Sequence, residues 1–180
     1  MKQLIETTFT CQTGNCIETI NETIFWVDEY PDEIEFDRNR KKSFVVNETQ
    51  DDLLFTVKNQ TKKDIHFLAI DQGIFWGTQQ YKLGRCDFAL FDDARFCFVE
   101  NKDVNLKHRG EERNSAIVQL SETIMKFKEH INFGSYILEA QISFKAKRIF
   151  PRQRSVNQQK SAQFFDETGA ELFENNDIEF

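Results

Sequence analysis

Three residues that could perform metal-assisted chemistry stand in two neighbouring apolar segments. Asp87 begins the first segment, and Glu100 and Lys102 end the second. Side chains two residues apart on a strand share a face, so Glu100 and Lys102 would project together. A short turn between the segments would bring Asp87 opposite Glu100. Two carboxylates bind a hard cation such as Mg²⁺ through oxygen, and an adjacent ammonium can orient water or offset charge on a phosphate.

The same three residues also admit a purely structural interpretation. Glu100 and Lys102 could form an ion pair at a strand end, and Asp87 could cap a turn. Burying an acid and a lysine among apolar neighbours is costly unless they pair with each other or bind an ion. The spacing alone therefore leaves both interpretations open, and the surrounding elements have to decide between them.

A β-hairpin is the element that would position these residues. Two apolar runs, residues 86–91 and 95–102, are joined by the polar connection Asp-Asp-Ala at residues 92–94. This arrangement is typical of two antiparallel strands with a tight turn. Further strands are predicted upstream from β-branched and aromatic residues, at residues 24–27, 44–46, 53–57 and 65–70.

A helix and a strand are predicted after the hairpin, beyond a charged loop at residues 103–115. The helix should cover residues 114–130, with Asn114 or Ser115 as its cap. Its apolar residues fall at spacings of three and four and form one stripe, made of Ala116, Leu120, Ile124, Phe127 and Ile131. Residues 136–146 then alternate strictly between apolar and polar side chains, which predicts a strand with one buried and one wet face.

These elements occur in the order found in a known nuclease superfamily. An Arg-Cys-Asp strand start, a Glu-x-Lys strand end and Gln119 on the following helix together resemble the PD-(D/E)XK nucleases. The resemblance covers residues 65–151, about half of the chain. The sequence departs from the pattern in having Leu-Gly-Arg-Cys where a Pro usually precedes the Asp, and in the charged loop that delays the helix. The resemblance implies an α/β fold, with a mixed central β-sheet, flanking helices and a restriction-endonuclease-like core.

The resemblance also implies a role for each site residue. Asp87 and Glu100 would hold Mg²⁺ or Mn²⁺, with the carbonyl of Asn101 as a further ligand. Lys102 would act on the attacking water. Gln119 would orient water or a backbone phosphate. The expected catalytic set is therefore Asp87, Glu100, Lys102 and Gln119, and Asp71 is a weaker upstream candidate acid.

The charges of the chain are unevenly distributed. The net charge of −7 divides into −8 for residues 1–37, +7 for residues 38–160 and −6 for residues 161–180. A basic body with acidic ends is compatible with nucleic-acid binding, and also with ordinary solvated surfaces. We expect phosphate contacts from Lys107, Arg109, Arg113, Lys145, Lys147, Arg148, Arg152 and Arg154. The acidic residues 166–180 could lie over this basic surface as a phosphate mimic, dock a partner, or only keep the protein in solution.

The length of 180 residues predicts one domain, or one domain with an appendage. Residues 1–64 form an N-terminal β-rich segment that we expect to belong to the same domain. Residues 65–151 are the nuclease-like core, and residues 152–180 are a polar, acidic C-terminal extension. Aromatic and aliphatic residues in this extension could anchor it.

The cysteines and the hydropathy pattern predict a cytoplasmic location. There is no apolar run long enough to span a membrane and no visible secretory signal. Cys11 and Cys16, separated by four residues, could contribute to a zinc site. The simpler interpretation is that these two, together with Cys86 and Cys97, are reduced and mostly buried thiols.

These observations predict a metal-dependent endonuclease that hydrolyses phosphodiester bonds, in DNA rather than RNA. The chain has little room for a separate recognition domain, so a protein partner, a larger bacterial complex or a homodimer could supply specificity. The alternative is an inactive subunit of the same fold that binds nucleic acid or a protein. An intact set of acids, lysine and glutamine favours the enzyme, whereas the acidic net charge favours the binding subunit.

Overall fold

The structure is a computed structural model that describes residues 1–11, 14–30, 43–48, 55–75, 84–103, 108–144, the backbone of 153–154, and 158–180. The elements in chain order are α1 (Lys2–Thr8), β1 (Ile17–Ile20), β2 (Ile24–Glu29), β3 (Ser43–Val46), β4 (Phe55–Lys58), β5 (Ile65–Ala69), β6 (Phe88–Phe91), β7 (Arg95–Lys102), α2 (Arg109–Lys128), β8 (Ile137–Phe144), β9 (Gln153–Arg154), α3 (Gln158–Thr168), β10 (Glu171–Glu174) and β11 (Asp177–Glu179). Helices and strands therefore alternate in part, as the α/β class requires.

The strands in the described residues form two sheets. The central sheet has seven strands in the order β1-β5-β6-β7-β8-β10-β9, and the smaller sheet has four in the order β11-β4-β2-β3. In the central sheet, β5, β6 and β7 pair antiparallel, whereas β7, β8 and β10 run parallel. The central sheet is thus mixed, as predicted. The parallel pairs are connected through α2 and α3, because parallel neighbours need a crossover.

Each face of the central sheet is covered by a different layer. Alternate residues of its strands pack with α2 and α3 on one face, including Phe96 and Phe98 of β7. The intervening residues, including Phe88 and Val99, pack against the smaller sheet. The N-terminal strands β2 and β4 supply that second layer through Phe25, Val27, Phe55 and Val57. The N-terminal segment therefore shares a core with the central sheet.

The predicted hairpin is present as β6 and β7, and its turn is fixed by Asp92. Oδ1 of Asp92 accepts hydrogen bonds from the backbone N–H groups of Ala94 and Arg95, at 2.8 and 2.7 Å. Oδ2 forms an ion pair with Nζ of Lys63 at 2.5 Å. Burial opposes ionisation of Asp92, but the Lys63 ammonium and the two N–H donors outweigh it and hold the pKa below its ordinary value. The turn therefore depends on an ionised Asp92.

The predicted helix is present as α2, but its start differs from the prediction. It begins at Arg109, so the predicted charged loop is largely helical, and Asn114 and Ser115 lie inside the helix instead of capping it. Glu111 and Glu112 in the first turn stabilise this start, because negative charge is favourable at a helix N-terminus. The apolar stripe is confirmed. Among the described helices, none is long and apolar enough to cross a membrane.

The predicted strand after the helix is present as β8, but its second face is not wet. All residues from the second position onward are buried. Gln141 donates from Nε2 to the carbonyls of Asn175 and Asp177, at 2.8 and 2.9 Å. Glu139 pairs with Nε of Arg95 at 3.7 Å. Polar partners from distant parts of the chain therefore allow the polar face of β8 to be buried.

The end of the chain contributes to both sheets. Strand β10 lies parallel to β8 in the central sheet, and β11 lies parallel to β4 in the smaller one. Phe164, Leu172 and Ile178 are buried and act as the predicted anchors, whereas Phe165 stays half-exposed. The residues that the sequence suggests are an extension thus supply one strand to each layer.

The N-terminus differs from the prediction in two ways. The sequence suggests only short strands there, but α1 covers Lys2–Thr8 and buries Ile5. The expectation of four reduced thiols is wrong for Cys11 and Cys16, which form a disulfide with Cα atoms 5.7 Å apart. Sequence spacing cannot reveal such a pairing, because it depends on how the chain returns from α1 to β1. Cys86 and Cys97 are free and buried, as expected.

Candidate active site

Asp87 lies directly beside Glu100. The register of the hairpin pairs Phe88 with Val99. The backbone N–H of Asp87 donates to the carbonyl of Val99 at 3.1 Å. Oδ2 of Asp87 accepts from the backbone N–H of Asn101 at 2.7 Å. Asp87 is thus bonded to both chain neighbours of Glu100, and each of the two acids is only 1% exposed. The sequence prediction that these two carboxylates converge agrees with this geometry.

Lys102 sits between Glu100 and helix α2. Its Nζ is 2.8 Å from Oε1 of Glu100 and 2.6 Å from Oε1 of Gln119. Oε2 of Glu112 is farther away, at 3.8 Å. The side chain of Lys102 is 15% exposed, so its ammonium is held in place but remains reachable from solvent. The structure therefore brings together all four residues of the predicted catalytic set.

Gln119 is one of several α2 residues that hold the chain leading into Asp87. Its Nε2 donates to the carbonyl of Arg85 at 3.1 Å. Thr123 accepts from the N–H of Cys86 at 2.9 Å, and Glu122 accepts from the N–H of Gly84. Three side chains one helical turn or less apart therefore bind three successive residues before the acid. The helix fixes the entry to the site as well as contributing Gln119.

The thiol of Cys86 reports the negative charge of this region. Burial is the largest cause of its raised pKa, followed by the charges of Glu100, Asp87 and Asp71. The thiol is therefore protonated at neutral pH and is not a nucleophile. Asp71 is close enough to contribute to this field, but its Oδ1 pairs with Nε of Arg85 at 3.0 Å. Asp71 thus lies beside the site and is engaged by an arginine.

Asn101 connects the site to the smaller sheet. Its backbone N–H binds Asp87, as described above, while its side-chain Nδ2 donates to Oε1 of Glu29 at 3.1 Å. The side chain therefore points away from Glu100, as alternation along β7 requires. The predicted contribution of Asn101 to a metal concerned its carbonyl, and this side-chain contact does not oppose it.

Arg109 and Arg113, two of the predicted phosphate-binding residues, are occupied by a carboxylate. Arg113 binds Glu174 through Nε at 2.7 Å and Nη2 at 3.1 Å. Arg109 approaches the same carboxylate at 3.2 Å, and its guanidinium lies 4.4 Å from the ring centre of Phe144. Phe144 pairs with Lys102 across β7 and β8, so this cluster lies one strand away from the site.

The other predicted phosphate-binding residues cannot be placed. The side chains of six fall outside the residues that the structure describes: Lys107, Lys145, Lys147, Arg148, Arg152 and Arg154. For Arg154 the backbone is described, in β9, where it pairs with Phe173 of β10. Their role in binding nucleic acid stays a prediction.

Several residues of the site escape prediction from sequence. Glu122 and Thr123 follow Gln119 at three and four residues, so a polar strip beside the apolar stripe was the available signal. Glu29 and Glu174 carry no local signal, because each reaches the site through long-range strand pairing.

The residues of the site offer two carboxylates to a metal. Within the described ranges, no group of three or more His, Cys, Asp or Glu side chains is arranged to hold one. Comparisons with models of known protein families, with curated proteins and with solved structures found no match. The function has to be argued from the geometry of Asp87, Glu100, Lys102 and Gln119.

Proposed function

We propose that this protein is a Mg²⁺- or Mn²⁺-dependent nuclease that hydrolyses phosphodiester bonds. The observation that carries the proposal is the placement of Asp87 beside Glu100, with the ammonium of Lys102 at 2.8 Å from Glu100. Two buried acids next to each other repel unless a cation or a proton lies between them. One lysine offsets only part of that charge, so a divalent cation would complete the balance.

The donor set suits Mg²⁺ in particular. This ion often binds proteins through one or two carboxylates and takes its remaining ligands from water and substrate phosphate. Asp87 and Glu100 would provide the two carboxylates. The Asn101 carbonyl remains a candidate third ligand, because N–H and C=O of one strand residue point to the same side and its N–H points to Asp87. When bound, the ion would polarise a phosphoryl oxygen and lower the pKa of water.

Lys102 and Gln119 have distinct roles in this proposal. An ammonium has three donors, and two of those on Lys102 are directed to Glu100 and Gln119. The third can orient the attacking water or a phosphate oxygen. Gln119 fixes the ammonium while its own Nε2 is held by the Arg85 carbonyl. Such fixed donors stabilise charge that develops on the phosphate without having to reorganise.

The order of elements around the site supports a restriction-endonuclease-like core. The hairpin β6–β7 carries the acids and the lysine, α2 crosses over with Gln119, and β8 returns parallel to β7. This is the order that the sequence resemblance implies. The antiparallel β5 next to β6 and the parallel β10 next to β8 extend the same sheet on both sides.

The substrate that we propose is DNA in preference to RNA, in the cytoplasm and without membrane attachment. The basic middle of the chain, with a net charge of +7 over residues 38–160, would contact phosphates and would read little sequence. Specificity would come from a protein partner or from a second copy of the chain.

A non-catalytic binding subunit is the second candidate function. The ion pair of Glu100 with Lys102 and its link to Gln119 could serve stability alone, since a buried pair needs partners in any fold. The occupation of Arg109 and Arg113 by Glu174 also favours a surface with little free positive charge. This candidate predicts binding without cleavage under all metal conditions.

Cleavage assays with matched variants distinguish the two candidates. Plasmid, linear double-stranded DNA, single-stranded DNA and RNA would be incubated with Mg²⁺, Mn²⁺ or EDTA. Wild type should cleave at least one substrate only with metal. Asp87→Asn, Glu100→Gln and Lys102→Ala should each lower the rate by orders of magnitude, because several kcal/mol of barrier stabilisation are lost.

The controls are Asp93→Asn in the exposed turn of the same hairpin and Glu129→Gln at the exposed end of α2. Both remove the same kind of charge as the site variants and should cleave like wild type. Persistent cleavage by any one site variant would remove that residue from the mechanism. Metal-independent cleavage, or no cleavage of any substrate, would refute the proposed nuclease activity.

A further inference from the structure

Glu29 ends β2 in the smaller sheet, on the opposite side of the central sheet from α2. It follows Phe25 and Val27 at two-residue intervals, and those two side chains are buried between the sheets. Its carboxylate therefore points inward, where Oε1 accepts from Nδ2 of Asn101 at 3.1 Å. An acid at this place contacts the one residue that separates Glu100 from Lys102 in sequence.

Asn101 is held at both its backbone and its side chain. Its N–H binds Oδ2 of Asp87 at 2.7 Å, and its side chain is anchored to Glu29. Asn101 is only 6% exposed. Within the described residues, Oδ1 of Asn101 accepts no hydrogen bond. The contact with Glu29 is thus the hydrogen bond through which the structure anchors this buried amide.

We infer that Glu29 is a positioning residue for the metal site, acting through Asn101 on the carboxylate of Asp87. The inference rests on the proposed function. Strand β7 ends at Lys102, and the ends of strands open more easily than their centres. The Glu29–Asn101 bond ties the last residues of β7 to the second layer. It thereby keeps the Asn101 N–H aimed at Asp87 and holds that acid beside Glu100.

This role differs from simple stabilisation in what it should change. Residues that hydrogen-bond to the ligands or their supports typically alter metal affinity or activity by 10- to 100-fold when removed. A purely structural contact would lower the stability of the protein but leave the affinity of the folded protein for metal unchanged. Metal affinity, measured on folded protein, therefore separates the two.

The test uses Mn²⁺ binding by isothermal titration calorimetry on the full chain, together with urea unfolding without metal. Glu29→Ala should weaken Mn²⁺ binding by about 10- to 100-fold. Glu29→Gln keeps an oxygen acceptor for Nδ2 and should restore most of the affinity. Asp28→Ala removes the same charge one residue earlier on β2 and should bind like wild type.

Asn101→Ala keeps the backbone N–H but removes the anchored side chain, so it should weaken binding as Glu29→Ala does. It also provides the test if Glu29→Ala does not fold. The double variant should be no weaker than either single one, because both remove the same link.

Three results would overturn the inference. Wild-type affinity in Glu29→Ala or in Asn101→Ala would show that the link does not position Asp87. Equal losses in Glu29→Gln and Glu29→Ala would indicate a long-range charge effect. Failure of wild type itself to bind Mn²⁺ would refute the proposed metal site as well, which distinguishes that failure from the first two.

Discussion

Substitution of Gly84 by Ala should separate α2 from the site. A Cβ at this position would lie 2.8 Å from Cγ and 2.9 Å from Cα of Gln119, and 2.9 Å from Oε2 of Glu122. Ordinary van der Waals contact begins near 3.4 Å, so the backbone of the helix must retreat by about 0.5 Å. The contact with Cα cannot be relieved by rotating a side chain.

Both stability and activity should respond to that retreat. Overpacking of this kind typically costs about 1–3 kcal/mol of unfolding free energy. The hydrogen bond from Gln119 to Lys102 would also move, and a displacement of about 1 Å can cost about 100-fold in rate. We therefore expect a loss in kcat of roughly 10-fold for this smaller shift, measured by DNA cleavage on protein that is folded by circular dichroism.

Gly110→Ala is the matched control, because it lies on the same helix with no atom within 4 Å of the added methyl group. Alanine is the better helix former by about 1 kcal/mol, so this variant should be as stable as wild type or more so. Wild-type stability and kcat in Gly84→Ala would refute the claim that close contact with α2 positions the site.

Three further outcomes follow from charges and thiols. Glu174→Gln should lower the unfolding free energy by about 1–3 kcal/mol, because it weakens a charge-assisted contact with two arginines; it should also tighten DNA binding and steepen the salt dependence by about 0.9 per phosphate gained. Asp92 has a lowered pKa in the folded state, so its contribution to stability is present above about pH 4 and is lost as the pH falls further; urea unfolding from pH 7 to pH 3 should show the gap between wild type and Asp92→Asn closing below pH 4. Denatured protein purified without reductant should show two free thiols by Ellman titration, from Cys86 and Cys97.

Each of these outcomes has a result that contradicts it. Glu171→Gln on the exposed side of β10 is the control for Glu174→Gln, and equal DNA binding by both variants would dismiss the carboxylate as a competitor for phosphate. A stability gap for Asp92→Asn that does not change between pH 7 and pH 3 would show that its ionisation does not support the turn. Four free thiols would argue against the disulfide and for the reduced cysteines that the cytoplasmic prediction expects, since disulfides are rare in a reducing cytosol.

The hairpin and the residues it carries could be predicted because their signals are local. Apolar runs on both sides of a short polar connection predict β6 and β7, and two-residue spacing places Glu100 and Lys102 together. The apolar stripe of α2 has helical periodicity, so its buried side is predictable, and Gln119 then falls beside the sheet. In each case the residues that determine the outcome lie within about one element of each other.

The remaining features depend on contacts between distant parts of the chain. The start of α2 is held by Arg113 and its partner Glu174, which are 61 residues apart. The buried polar face of β8 needs acceptors from residues 175–177. The link from Glu29 to Asn101 spans 72 residues and two sheets. Periodicity carries no information on such pairs, so they could be found only once the sheets were assembled.

The most direct test of the central claim is a crystal structure with Mn²⁺, in which anomalous scattering locates the ion. We predict one anomalous peak between Asp87 and Glu100, with carboxylate oxygens from both residues at roughly 2.0–2.6 Å, the range of divalent metal–oxygen contacts. Glu100→Gln crystals treated in the same way should lose the peak. Saturating Mn²⁺ with no peak between these two carboxylates, or a peak bound only by other residues, would contradict the metal site and with it the proposed nuclease.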